Sequence, residues 1–178
     1  MLMDPTLGRV IERWRAGDRD AFEEVMDRYG LQLLRTARLI LRDPSLAEDA
    51  IQETFLKAWQ RIGSLRDEDP GPWLTRIAMN ESISLYRRRH RFQALTERFG
   101  RLGGAKHEVS SEARLDLSQA LAQLTPEQRA AVALHYYQDL SVQETARVLE
   151  VPVDTMKSRL RTALRRLREL TGSEEAFA

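Results

Sequence analysis

Residues 141–170 read SVQETARVLEVPVDTMKSRLRTALRRLREL, and this stretch decides the fold. Ser141 and Glu144 have the capping-box spacing, in which each side chain satisfies an orphan N–H at a helix start, so a short helix opens after Ser141 and runs over 142–149. Pro152 breaks it, and a second helix is expected over 153–170. Within that second helix Met156, Leu160, Ala163, Leu164, Leu167 and Leu170 recur in steps of three and four, which gathers them on one buried stripe. Thr155, Lys157, Ser158, Arg161, Thr162 and Arg165 are left pointing outward. A short capped helix, a tight break over 150–152 and a longer basic helix make a helix-turn-helix, the pattern whose second helix fits the major groove of DNA. Arginine or lysine there donates to guanine, hydroxyls serve either role, and the remaining arginines neutralise phosphates, so the N-terminal half of this helix is expected to read bases.

Working upstream, Thr125, Pro126 and Gln128 supply an N-cap, a proline at the first helical position and a capping-box partner for a helix over 126–137. A helix over 112–124 precedes it, which gives a four-helix domain over 112–172. Residues 93–111 hold Gly100, Gly103, Gly104, Ser110 and Ser111 with few apolar positions, a composition suited to a flexible linker. The first domain is expected over 5–92. Its clearest helix starts at Ser45 after Asp43-Pro44, with Glu48 completing a capping box. Ala47, Ala50, Ile51, Phe55, Ala58, Trp59 and Ile62 form its apolar stripe, leaving Asp49, Gln52, Glu53, Leu56 and Gln60 outside. Before it, helices over 21–29 and 31–41 hinge near Gly30, with Val25, Met26, Leu34, Ala37 and Leu41 facing inward. After it comes a loop over 63–72, then a helix in which Trp73, Ile77 and Leu85 face the core and which runs out through Tyr86 into Arg87, Arg88, Arg89, His90 and Arg91. Helical periodicity has no competitor from alternating β-branched runs, so the fold class is all-α: two small helical domains joined by a flexible linker, the C-terminal one carrying the helix-turn-helix.

The 178 residues are 42% hydrophobic and 31% charged, ordinary for a chain that folds. There is no cysteine, which excludes disulfides, thiolate metal sites and cysteine nucleophiles and fits a reducing cytosol. No apolar stretch is long enough to cross a bilayer, so membrane insertion is not expected and the chain reads as cytoplasmic. The formal net charge is only +1. It is segregated, however, into two basic clusters, 87–91 and Lys157 to Arg168, against acidic residues concentrated in the first seventy positions, and local field rather than total charge governs binding to nucleic acid. Trp73 and Tyr86 beside the first cluster offer stacking faces next to a backbone-tracking charge, the combination used for single-stranded DNA, although Trp73 also suits a core position.

No catalytic residue, metal site or cofactor is expected. His90, His107 and His135 lack ligand spacing, and the pairs Glu23/Glu24 and Glu48/Asp49 are adjacent on a helix and diverge, unsuited to shared acid–base work. A stand-alone helix-turn-helix repressor or activator would account for the C-terminal half. It leaves the acidic face around Asp49 and the separate arginine cluster without a role, and a gel shift with and without polymerase separates the two readings.

Three separated segments carry a family resemblance: EDAIQETFLKAW at 48–59, WLTRIAMN at 73–80 and TMKSRL at 155–160. In their order and spacing the chain resembles the bacterial extracytoplasmic-function (ECF) sigma factors of the sigma-70 family, the minimal type with domains two and four. The resemblance implies that the helix over 48–59 docks on core RNA polymerase through Asp49, Gln52 and Glu53. It implies that Lys57, Arg66, Asn80, Arg87, Arg88 and Arg89 serve the unpaired strand of the promoter minus-ten element, with one base flipped near Asn80. It further implies that Thr155, Lys157, Ser158, Arg161, Thr162 and Arg165 serve the duplex minus-thirty-five element, and that an anti-sigma factor is a partner. Three positions depart from the pattern. Ser84 stands where the family usually has aspartate, the loop over 69–72 lacks an aromatic, and Glu150 replaces a frequent glycine in the turn. If position 150 needs positive φ, this last change costs about 1 kcal/mol.

Overall fold

The computed structural model describes residues 5–66, 69–99 and 116–172, with side chains over 6–66, 69–92 and 116–172. Every regular element among them is helical, as expected. The N-terminal bundle comprises α1 (Pro5–Arg15), α2 (Arg19–Leu41), α3 (Pro44–Arg61) with a 3-10 turn over Ile62–Ser64, and α4 (Gly71–Phe99). The C-terminal half comprises α5 (Leu117–Ala122), α6 (Pro126–Val132) continuing as a π-turn over Ala133–Tyr137, α7 (Val142–Val148) and α8 (Val153–Thr171).

Helix α1 has no counterpart in the sequence reading. Its apolar face is Leu7, Val10, Ile11 and Trp14, of which Ile11 and Trp14 are fully buried, and the Trp14 ring meets Phe22 at 5.0 Å and Trp73 at 6.2 Å between centroids. The corner into α2 is fixed by Asp18, whose carboxylate accepts the N–H groups of Asp20 and Ala21 at 2.9 and 3.3 Å while Arg13 grips it from α1 at 2.7 Å.

Helix α2 is continuous, so the hinge expected near Gly30 is absent. A glycine inside a helix costs about 1 kcal/mol. Here Ala21, Val25, Leu33, Ala37, Ile40 and Leu41 are buried along one unbroken stripe, which outweighs that cost, and Gly30 lies beneath the Phe55 ring. Helix α3 is capped two residues earlier than the capping box implied: Asp43 is the N-cap, accepting the Leu46 N–H at 3.1 Å, and Pro44 takes the first helical position. Glu48 turns instead to Arg38 on α2, at 3.1 Å.

In α4 the fully buried residues are Leu74, Ala78 and Met79, whereas Trp73, Ile77 and Leu85, expected to face the core, are half-buried at its edge. The stripe was misplaced because two polar residues share the buried face. Thr75 and Ser82 return their hydroxyls to the carbonyls of Gly71 and Ala78, at 2.8 and 2.7 Å, and so enter the core already hydrogen-bonded. The helix also runs past the expected domain end at 92. Positions 93–99 hold neither glycine nor proline, and helix persists to Phe99, so the first seven positions of the expected linker are helical. The rest of that segment, 100–111, and the expected helix start over 112–115 lie outside the described residues.

In the C-terminal half both capping boxes form. Thr125 and Gln128 exchange bonds of 2.9 and 3.2 Å, as do Ser141 and Glu144 at 2.8 and 3.2 Å. Helix α5 is shorter than expected and begins at its own cap, Asp116, whose carboxylate accepts the Gln119 N–H at 2.7 Å. The π-turn is closed by His135, whose Nδ1 is 2.6 Å from the Leu140 carbonyl.

The two halves pack against each other. Ala130, Leu134 and Val148 of the C-terminal half belong to the same buried cluster as the N-terminal bundle, while two smaller clusters lie beneath α8.

Candidate nucleic-acid interfaces

Helix α8 presents the outward face expected of it. Met156, Leu160, Ala163 and Leu167 are buried against α5, α6 and α7, with Leu164 and Leu170 half-buried at the edges. Thr155, Lys157, Ser158, Arg161 and Arg165 are exposed and Thr162 half-exposed. Pairing on this face is local and loose: Lys157 Nζ stands 3.5 Å from Asp154, and Arg165 Nε 4.0 Å from Glu169. Such exposed pairs contribute little and yield readily to phosphate. Arg161 has no ion pair among the described residues. The turn that aims this helix carries Glu150 at φ 52°, the left-handed conformation for which glycine is the usual residue.

The basic end of α4 is arranged differently. Asn80 is exposed, as is Arg66 in the preceding loop. Arg87, however, donates from Nε at 3.0 Å, and also from Nη2, to Glu127 at the start of α6. Burial pushes the Glu127 carboxyl up, but its own backbone N–H, Arg87 and Thr125 outweigh that and leave it below the usual carboxylate range. Arg89 donates to Asp43, the α3 cap. The Leu46 N–H first and Arg89 second hold Asp43 below its ordinary value. Arg88 is exposed with no ion pair among the described residues. Tyr86 does not offer free faces: the Arg129 guanidinium lies 4.7 Å from its ring centroid and the His90 ring 4.0 Å away. Arg129 itself is 2% exposed and donates to the Leu124 carbonyl at 3.1 Å. Trp73 is half-buried against Trp14, a packing role.

The outer face of α3 is acidic and open. Asp49, Gln52 and Glu53 are exposed, and Leu56 among them is 58% exposed. Lys57, at the margin of this face, bridges to Glu81 of α4 at 2.7 Å and to Glu53 at 3.3 Å. The hydrogen bond it donates to Glu81 is the main reason its ammonium is held above the ordinary lysine value. Its charge therefore ties α3 to α4. Among the described residues there is no cluster of three or more potential metal ligands and no helix long and apolar enough to cross a membrane.

Sequence reasoning missed Glu127, Arg76 and the pairing role of Glu150. Arg76 Nη1 reaches Glu150 Oε1 at 3.1 Å across the two halves. Partners so far apart in the chain leave no local signal.

Two family models match this chain. Residues 25–92 match the family model for sigma-70 region 2, and residues 114–167 match the model for sigma-70 region 4. The ECF RNA polymerase sigma factor SigM of Mycobacterium tuberculosis is 38% identical over 160 residues, covering 88% of this chain and 80% of that protein. The RNA polymerase sigma-E factor of Streptomyces avermitilis is 33% identical over 161 residues, covering 88% of each. Among solved structures, the sigma factor RpoE of Bartonella quintana in complex with the anti-sigma factor NepR is similar at TM-score 0.68 and 27% identity. The likeness covers 86% of this chain and 98% of that one.

Proposed function

The chain belongs to the ECF group of the sigma-70 family, and from that premise we propose how its surfaces divide the work. As a sigma factor it is not an enzyme: it binds core RNA polymerase and directs promoter recognition and transcription initiation. The open acidic face of α3, with Asp49, Gln52 and Glu53 around the exposed Leu56, is the surface for polymerase. Its charge is opposite to that of both basic clusters, and it would not itself bind nucleic acid. Helix α8 lies in the major groove of the minus-thirty-five element. There Lys157, Ser158 and Arg161 meet base edges, with Thr155, Thr162 and Arg165 beside them. Asn80, Arg66 and the arginines 87–89 serve the opened minus-ten strand, with Lys57 holding α3 and α4 in register behind them. The chain acts in the cytoplasm, and an anti-sigma factor is a partner, as NepR is of the Bartonella protein.

The observation that carries this reading is the α8 stripe: one side is buried on three helices, and the opposite side carries the exposed hydroxyl and basic residues. The test is reconstitution. Purified chain added to sigma-free core should bind it and yield run-off transcripts from fragmented genomic DNA with defined starts. Reversal of the α3 face by Asp49→Arg with Glu53→Arg should abolish core binding while leaving the helical content unchanged. Transcripts that are the same with and without the chain would overturn the reading.

A further inference from the structure

Between Trp73 and Phe92, along the stretch of α4 assigned to the opened strand, the chain holds a single carboxylate, Glu81. A surface that meets phosphates has reason to exclude one, since a bare carboxylate repels the strand. Glu81 nonetheless follows Asn80 directly. It shares a helical stripe with Ser84 and Arg88, three and seven positions on, both of them exposed. Its place is therefore at the strand surface.

The carboxylate is not left bare. Lys57 crosses from α3 and sets its Nζ 2.7 Å from Glu81 Oε2, with Glu53 Oε1 at a looser 3.3 Å. Of the two acids Glu81 is the more enclosed, its side chain 18% exposed against 47% for Glu53. Packing beneath the pair fixes where the ammonium stands. Ala58 of α3 and Ala78 of α4 are fully buried, and Thr54 and Ser82 bury their hydroxyls against carbonyls of their own helices. Lys57 neutralises Glu81 through one oxygen, and the other, Oε1, meets no partner among the described residues. A neutralised, oriented carboxylate with an oxygen to spare is a hydrogen-bond acceptor. Unpaired bases are told apart by hydrogen bonds to their edges. The exocyclic amino groups of adenine and cytosine donate to such an oxygen, whereas thymine presents a carbonyl at the same place and is refused.

On the assignment of α4 to the opened strand, we propose that Glu81 is a further specificity-determining residue, which accepts from the amino group of an adenine or cytosine adjacent to the base held near Asn80. Lys57 is the positioning residue that neutralises and orients it.

The test uses the reconstituted holoenzyme and a promoter from the run-off experiment, supplied as a pre-opened template whose single-stranded segment is randomised. Bound templates are recovered and sequenced. The parent should disfavour thymine about three- to tenfold at one position. In Glu81→Gln, Lys57 keeps the amide carbonyl and the amide N–H turns to the strand, so the preference at that position alone should reverse toward thymine. Lys57→Met should weaken capture of every sequence about two- to fivefold, and the loss should shrink with added salt because it is a repulsion. Adding Glu81→Gln to Lys57→Met should recover capture without the parent's preference, a rescue that a purely structural lysine would not give. Asn80→Ala should alter a different, adjacent position. An unchanged thymine count in Glu81→Gln beside an altered profile in Asn80→Ala would overturn the role of Glu81. A Lys57→Met loss that Glu81→Gln fails to repair would overturn the role of Lys57. Profiles unchanged in both Asn80→Ala and Glu81→Gln would instead remove α4 from the strand, and the proposed function would fail there together with the role of Glu81.

Discussion

Two arginine-rich helix faces in this molecule start from similar composition and arrive at opposite states. On α8 the outward residues are exposed and paired, if at all, with a neighbour one turn away. On α4, Arg87 and Arg89 are spent on carboxylates brought from α6 and from the α3 cap. The lesson is that a basic run on a helix predicts a charged surface but not an available one. Availability depends on what the rest of the chain places opposite.

The comparison can be tested hardest through the core of the C-terminal half. Met156 is fully buried beneath α8, and Met156→Ala should cost about 2 to 5 kcal/mol in urea unfolding. All three tryptophans, Trp14, Trp59 and Trp73, lie in the N-terminal bundle, so their fluorescence reports that half alone. A circular-dichroism transition that moves further than the fluorescence transition would show that the halves unfold separately. Coincident shifts would show that the shared cluster makes them one cooperative unit.

Next in size, Arg161→Ala should weaken the minus-thirty-five duplex by about 1 to 3 kcal/mol with core binding unchanged, as read by titrating promoter DNA against the reconstituted polymerase. An equal loss of core binding would place Arg161 in the fold rather than at the DNA. Smaller still, Ser141→Ala removes a formed cap and should cost about 1 kcal/mol of thermal stability, with a matching loss of helix-turn-helix order measured by hydrogen exchange at α7.

The smallest effect expected is with pH, and it falls on the α4 side. Asp43 is held below its ordinary range by the Leu46 N–H and then by Arg89. A carboxyl depressed in the folded state adds stability that is complete above its unfolded value and is lost as pH falls through the folded one. Melting temperature should therefore be flat around neutrality and drop on acidification below the ordinary aspartate range. Asp43→Asn should show a shallower acid limb than the parent, and equal limbs would remove Asp43 from the account.

How much was legible varies with the range of the interaction. The cap at Ser141, the break at Pro152 and the α8 stripe were read correctly because each is decided within a turn or two of helix. Gly30 was misread as a hinge because the stripe on either side of it outweighs a local penalty. The α4 core was displaced by one position because Thr75 and Ser82 hide their polarity in backbone bonds. Lys57 counted as a cation for DNA until Glu81, 24 positions on, was found to hold it. Glu150 was flagged as a residue at odds with its turn, and the observed φ agrees.

The amino-acid sequence by itself determined the all-α class, the caps at Thr125 and Ser141, the helix-turn-helix and the face that α8 turns outward, since these follow from periodicities of three to seven residues. Only the tertiary structure decided which charged and polar groups are occupied. Arg87 and Glu127 are 40 positions apart, Arg76 and Glu150 are 74, and Thr36 and Gln138 are 102. Whether such groups meet is fixed by how whole helices pack, and no local pattern encodes it.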